Sequence, residues 1–345
     1  MIKRLPQGDF QPLRRISPSQ VQRLLDCPLR LVLRNTYGEL LPPTVYTYFG
    51  SAVHDLFQWA VQTGVRDEAG LRQYLEESLE AQHQKCREAG YEALLPLKHN
   101  VKNYGLRYNA ALRKAASFPI SDEPTDAPPG TPYEPSEKVE EWLSGFGGKL
   151  AGRADLIRYR DGYWELVDYK TGLLTDSNGA LKPEYLAQMK LYAFMMRETL
   201  GIHPDKIWLE PLVGEPVELS FSPEECRAFA DEVVAVLTKT NLHWREADWP
   251  ILARPDKERC HSCESRPACP AYQPEPGRER FGTVECLREA GDTTTIFFED
   301  GQRVIRVSSA ASSLLREGQS LRLFSLKPAG PNASEWAPTS WGFIQ

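Results

Sequence analysis

Two alternating strand-like runs joined by Asp161-Gly162 constrain this chain more than any other feature. The runs are Leu156-Ile157-Arg158-Tyr159 and Trp164-Glu165-Leu166-Val167, with Arg160-Asp161-Gly162-Tyr163 between them. Asp-Gly at that point predicts a two-residue hairpin loop, because a type I′ turn needs positive φ at both central residues and its twist matches that of the paired strands. So short a loop fixes the register, and in that register Asp155 stands opposite Asp168. Facing side chains on paired strands lie about 5 Å apart, and like charges there repel unless something neutralises them.

A divalent cation would do so. Oxygen ligands at about 2.1 Å suit Mg²⁺, which takes one or two carboxylates and fills its shell with water and phosphate oxygens. Lys170 lies two residues beyond Asp168 and therefore on the same face of the strand. Its ammonium can hold a phosphate oxygen or the attacking water, whose pKa a bound metal lowers. The same register sets Arg153 against Lys170, so the strands are expected to splay at that end. A surface hairpin with scattered charges is the plain alternative; register, paired acids and lysine together favour the metal site.

Two helices carry further polar candidates. Val53, Leu56, Phe57 and Ala60 recur at helical spacing, so residues from Gly50 to Gln62 are predicted as a core helix with His54 beside its apolar stripe. Taken alone, such a histidine is more often a hydrogen-bonded core residue than a ligand. Gln188 and Tyr192 are four residues apart and share a helix face, beside a buried stripe of Met189, Ala193 and Met196. By itself this is a polar pair on a helix surface.

Together these residues resemble the PD-(D/E)XK nuclease superfamily, in particular its RecB-type branch, which includes recombination-repair helicase-nucleases and CRISPR-adaptation exonucleases. The matching elements are Gly50-Ser51-Ala52-Val53-His54, Gly152-Arg153-Ala154-Asp155, Asp168-Tyr169-Lys170 and Gln188-Met189-Lys190-Leu191-Tyr192, in that order. The resemblance runs from about Ile16 to Tyr272. It implies an α/β fold, a restriction-endonuclease-like mixed sheet flanked by helices. It also implies that Asp155, Asp168, the Tyr169 carbonyl and His54 bind Mg²⁺ or Mn²⁺, with Lys170 catalytic and Gln188 and Tyr192 supporting the site or touching nucleic acid.

The seven cysteines fall at 27, 86, 226, 260, 263, 269 and 286. An odd number, with a polar stretch from Met1 to Arg15 and no secretory leader, argues against a disulfide framework and for a reducing cytoplasm. Cys260-x2-Cys263-x5-Cys269 is compact enough for one metal centre and leaves a ligand to find; Cys27, just before Pro28 near the middle of an expected amino-terminal helix, is the candidate. By spacing alone zinc fits as well as iron. The layout is similar to the four-cysteine 4Fe-4S site of the RecB-type nucleases, which implies a structural cluster that staples the domain and positions DNA.

The chain divides, on this reading, into an N-terminal tail (1–15), a RecB-like nuclease domain (16–273) with a proline-rich loop at 119–135, and a small β-barrel-like domain (274–345) with strand-like runs and turns at Gly291-Asp292 and Asp300-Gly301. Ser17-Pro18-Ser19-Gln20 reads as a capping box that opens the nuclease domain. No stretch approaches the roughly 20 apolar residues of a membrane span. Net charge is −6, which does not suit a polyanion binder, but local charge matters more. From Ala93 to Ser121 there is no acid, while Lys98, Lys102, Arg107, Arg113 and Lys114 interleave with Tyr104 and Tyr108. Basic side chains with stacking aromatics suit single-stranded DNA. Glu140 is a further carboxylate near the expected site, read here as a solvated charge.

These features lead to the expectation of a metal-dependent exonuclease acting on single-stranded DNA or DNA ends, in repair or CRISPR adaptation. No G-x-x-x-x-G-K-[ST] is present, so a helicase motor, or CRISPR adaptation proteins, would act as partners in trans. The rival is a non-cutting iron-sulfur subunit that binds DNA ends or scaffolds a helicase-nuclease complex.

Overall fold

The computed structural model describes residues 1–41, 43–118 and 138–345, so the proline-rich loop expected at 119–135 lies outside the described residues. Two compact units are present: Pro12–Pro28 with Pro43–His243, and Met1–Gln11 with Leu29–Pro42 and Trp244–Gln345. The fold is mixed α/β, consistent with a restriction-endonuclease-like core.

The first of these units is built on a five-stranded sheet. Its strands, numbered here within the unit, are β1 (Lys138–Gly145), β2 (Leu150–Arg160), β3 (Tyr163–Lys170), β4 (Lys206–Pro211) and β5 (Val217–Leu219), in that spatial order. All neighbours are antiparallel except β3 and β4, which are parallel. A parallel pair needs a crossover, and the helix α5 (Pro183–Leu200) lies within it. Around the sheet run α1 (Val21–Asp26), α2 (Val45–Thr63), α3 (Glu68–Glu88), α4 (Tyr104–Ala116) and α6 (Pro223–Leu242). Local chemistry sets the ends of α2: the Thr44 side chain accepts the Thr47 N–H, and Gly64 closes the helix at φ 72°. Pro183 begins α5 and Gly201, at φ 73°, ends it.

The amino-terminal segment departs from the single helix expected through Cys27. The chain turns through a 3₁₀ helix at Pro18–Gln20, where the Gln20 side chain accepts the Ser17 N–H at 3.1 Å, and enters α1. At Cys27 the backbone is extended, φ −159° and ψ 96°, so the cysteine ends a helix and does not sit inside one. Pro28 is the cause, because its ring disfavours helical conformation in the preceding residue.

The second unit holds an eight-stranded sheet in the order Ile2–Arg4, Trp341–Ile344, Ser320–Phe324, Arg280–Ala290, Thr293–Phe298, Arg303–Ser308, Ala333–Glu335, Lys327–Gly330. Residues expected to form a tail thus supply an edge strand, with Lys3 parallel to and opposite Phe343. Among the described residues the two outer strands do not pair with each other, so the strand order is open where a barrel would be closed. Ile2, Val284, Ile296, Phe298, Val304, Leu321, Leu323 and Ile344 form its apolar core. Among the described residues no helix is long and apolar enough to cross a membrane.

Candidate active site

The hairpin is the one the Asp-Gly pair dictates. Asp161 and Gly162 both have positive φ, 53° and 85°, and Leu156 pairs with Val167 and Arg160 with Tyr163. The ladder ends at Leu156–Val167, one residue short of the two acids. There the Asp155 carboxylate replaces a backbone acceptor, taking the Tyr169 N–H on Oδ2 at 2.8 Å. Arg153 is paired across to Trp142 of β1. β2 and β3 therefore part just where like charges would face each other.

Two glycines let the surrounding elements come close. A Cβ on Gly50 would lie 2.9 Å from the Thr171 hydroxyl, so α2 can touch the end of β3 only because that residue has no side chain. At Gly152 a Cβ would meet the Pro18 ring at 2.7 Å, which explains the glycine three residues before Asp155.

Asp168 is 2% exposed. Its Oδ1 accepts from Gln188 Nε2 at 2.9 Å, and Gln188 Oε1 in turn accepts from Lys170 Nζ at 2.8 Å. The Lys170 ammonium stands 2.5 Å from Asp168 Oδ2, the single group that meets that buried oxygen among the described residues. The Tyr185 ring lies 4.7 Å from the same ammonium. Gln188 thus bridges acid and lysine. Tyr192 takes a different part: its hydroxyl donates to the Arg153 carbonyl at 2.5 Å and fixes the backbone of β2.

On the other side of Asp155, His54 Nδ1 is 3.6 Å from Oδ2. Glu140, from β1, completes a group in which one ligand atom from each of His54, Glu140 and Asp155 lies within 4.8 Å of the others. Reading Glu140 as a solvated charge is therefore corrected. Its strand neighbours Val139 and Glu141 pair with Leu156 and Ala154, so in the same frame it stands at the level of Asp155. Its φ is 54°, uncommon for a residue other than glycine and rarer still in a strand. Tyr169 lines the small cavity beside His54, Glu140 and Asp155, its ring packed 5.0 Å from Phe57.

The electrostatics follow from this crowding. Burial first, and then the Asp168 carboxylate, push the Asp155 carboxyl up to about 7, against the opposing pull of His54, Lys170 and the Tyr169 N–H. Burial also raises Glu140. For Lys170 burial acts to lower the pKa, but Asp168 and Asp155 outweigh it and the ammonium is held more firmly charged. Burial and the same two acids keep the Tyr192 phenol neutral. Three carboxylates against one lysine leave an excess of negative charge that a divalent cation would balance. The close group of His54, Glu140 and Asp155, and an all-oxygen-and-imidazole donor set, fit Mg²⁺ or Mn²⁺.

The cysteines of the compact motif lie in the second unit. Successive tight turns carry the chain from Cys260 to Tyr272, with N–H bonds from Cys263 to the Cys260 carbonyl, Cys269 to Arg266 and Tyr272 to Cys269. Cys260 Sγ accepts the Asp256 N–H at 3.3 Å. Burial pushes the Cys263 thiol up to about 11, while the Arg30 cation and the Ser265 N–H act the other way. Arg322 donates to the Cys269 carbonyl at 3.0 Å. Backbone N–H groups of Asp256 and Ser265 thus stand at the Cys260 and Cys263 thiols, while among the described residues the three sulfurs do not gather within 4.8 Å of one another. Cys27 belongs to the other unit. Cys86 and Cys226 are buried.

The acid-free stretch is less uniform than its composition suggests. Tyr108 is 6% exposed and donates to Glu76 at 2.7 Å, and Lys114 is ion-paired with Glu210. These two serve the fold and offer no stacking surface or free charge. Lys98, Lys102 and Arg113 are exposed.

A family model, the PD-(D/E)XK nuclease superfamily, matches residues 15–270. No curated protein matches the chain.

Proposed function

The chain belongs to the PD-(D/E)XK nuclease superfamily, and from that premise we propose that it hydrolyses phosphodiester bonds of DNA, as an exonuclease of the RecB-type branch working on single strands or ends. The observation that carries this reading is the buried trio of Asp155, Asp168 and Lys170, beside the close group of His54, Glu140 and Asp155. Asp155, Asp168 and Glu140, with His54 and the Tyr169 carbonyl, would hold Mg²⁺ or Mn²⁺. When bound, such an ion polarises a phosphoryl oxygen and acidifies water. Lys170 then meets the charge that builds on the phosphate, and Gln188 keeps its ammonium beside Asp168. Tyr192 positions the backbone that carries Asp155. End-labelled single- and double-stranded DNA, incubated with Mn²⁺ and the parent or Lys170→Ala protein, tests this. The expected loss is on the order of a hundredfold or more, and undiminished cutting by the mutant sinks the mechanism.

By the same resemblance we propose a 4Fe-4S cluster on Cys260, Cys263 and Cys269, with Cys27 as the fourth thiolate. Its role is structural. Protein purified without oxygen should be brown and contain iron, and Cys263→Ser should lose both; a colourless, zinc-loaded preparation removes the cluster. A helicase or the CRISPR adaptation proteins are the partners that this branch implies, and the cytoplasm its compartment.

A further inference from the structure

Tyr46, Gly50 and His54 lie four residues apart along α2. That spacing keeps them on one face. Their contacts agree: His54 stands against Asp155, Gly50 against Thr171, and Tyr46 beyond both. Eight residues of helix rise about 12 Å, so Tyr46 is that far along the axis from the histidine. The residue is 39% exposed. The Arg107 guanidinium lies 5.5 Å from the ring centroid and also hydrogen-bonds the carbonyl of Thr171, the residue after Lys170. Arg107 Nε donates to the Lys102 carbonyl at 3.1 Å, and the Lys102 N–H reaches the Tyr46 hydroxyl at 3.4 Å. Among the described residues neither Arg107 nor Lys102 is ion-paired with a carboxylate.

An exposed aromatic ring, two cations without a counter-charge, and direct continuity with the strand that carries Lys170 are the elements that grip an unpaired nucleotide. A base stacks on the ring while the backbone follows the cations. We propose that Tyr46 with Arg107 and Lys102 forms a base-stacking subsite for single-stranded DNA, about two phosphates from the bond that is cut. The subsite rests on the nuclease reading of Asp155, Asp168 and Lys170, and deepens it by making the unpaired strand the preferred substrate. Duplex DNA, whose bases are already stacked, gains nothing from the ring.

The test measures binding without cutting. Anisotropy of a fluorescent oligothymidylate and of a blunt duplex is read in the presence of EDTA for the parent, Tyr46→Ala, Tyr46→Trp and Lys102→Ala. Tyr46→Ala should weaken single-strand binding on the order of tenfold and leave the duplex unchanged, and Tyr46→Trp should restore it. Lys102→Ala, an exposed change, should reduce the salt dependence of single-strand binding by about one phosphate contact. Unchanged single-strand affinity in Tyr46→Ala overturns the proposal, as does an equal loss on both DNAs. A circular dichroism melt that matches the parent shows that the mutant is folded; if it is not, failure of Lys102→Ala to alter the salt slope overturns the subsite. A parent that binds single strands through Tyr46 yet cuts nothing with Mn²⁺ sinks the nuclease reading alone.

Discussion

Each of the two units buries carboxylates, and they treat them in opposite ways. In the eight-stranded unit Glu279, 5% exposed, accepts from the Tyr272 hydroxyl at 2.7 Å and the Glu275 N–H at 3.0 Å, and Arg266 stands 3.2 Å away. Its charge is matched by that guanidinium beside Oε1, and both hydrogen bonds fall on Oε2. In the hairpin unit Asp155 and Asp168 share one lysine, and Glu140 stands near with no cation of its own in the group it forms with His54 and Asp155. A buried acid with all its partners stabilises a fold, whereas crowded acids with too few cost stability, and they persist where another component completes them.

Substituting one acid from each unit puts that contrast at risk. The largest effect is expected for Asp155→Asn, which should lower the rate of DNA cleavage about a thousandfold in a labelled-substrate assay. The same change should make the metal-free protein melt higher at pH 8. The sign follows from the raised carboxyl: between about 3.8, the ordinary value, and about 7 the folded chain holds a proton that the unfolded chain releases. Stability of the metal-free parent therefore falls as pH rises through that window and levels off above it. An asparagine side chain, which cannot ionise, removes that slope, and saturating Mg²⁺ should flatten it in the parent. A metal-free melting curve for the mutant that declines with pH as steeply as the parent's contradicts the crowding argument.

Glu279→Gln should behave in the reverse sense. Breaking a satisfied buried pair costs about 3 kcal/mol, seen as a lower urea midpoint, while the rate per folded molecule stays at the parent's value. A catalytic defect in this mutant would erase the division of labour between the two acids. The smallest expected change is for Glu140→Gln, which should raise the Mn²⁺ concentration for half-maximal cutting about tenfold, with little effect on the rate at saturation. Unaltered metal dependence would return Glu140 to the role of a solvated charge.

How much of this was legible depended on how local the determinant was. The Asp161-Gly162 turn fixed the register of β2 and β3, and with it the approach of Asp155 and Asp168, within a dozen residues. Pro183 and Gly201 likewise marked both ends of α5, which delivers Gln188 and Tyr192. Glu140 was noted but read as a solvated charge, because its register is set by the Phe146-Gly147-Gly148 turn, three consecutive residues of positive φ with no short sequence signature. The surroundings of Tyr108 were also hidden. A window without acids shows where charge accumulates but not which ring faces water, and Tyr108 turns inward to a glutamate on α3, an element distant in sequence. The edge strand at Ile2–Arg4 was missed for the same reason, since its partner lies at the far end of the chain.

That edge strand has a bearing on synthesis. The strand Ile2–Arg4 waits for its partner Trp341–Ile344, so the eight-stranded sheet is incomplete until that much later segment has been made. The hairpin unit, whose sheet draws only on residues 138–219, can assemble well before then. Folding order is thereby built into the topology.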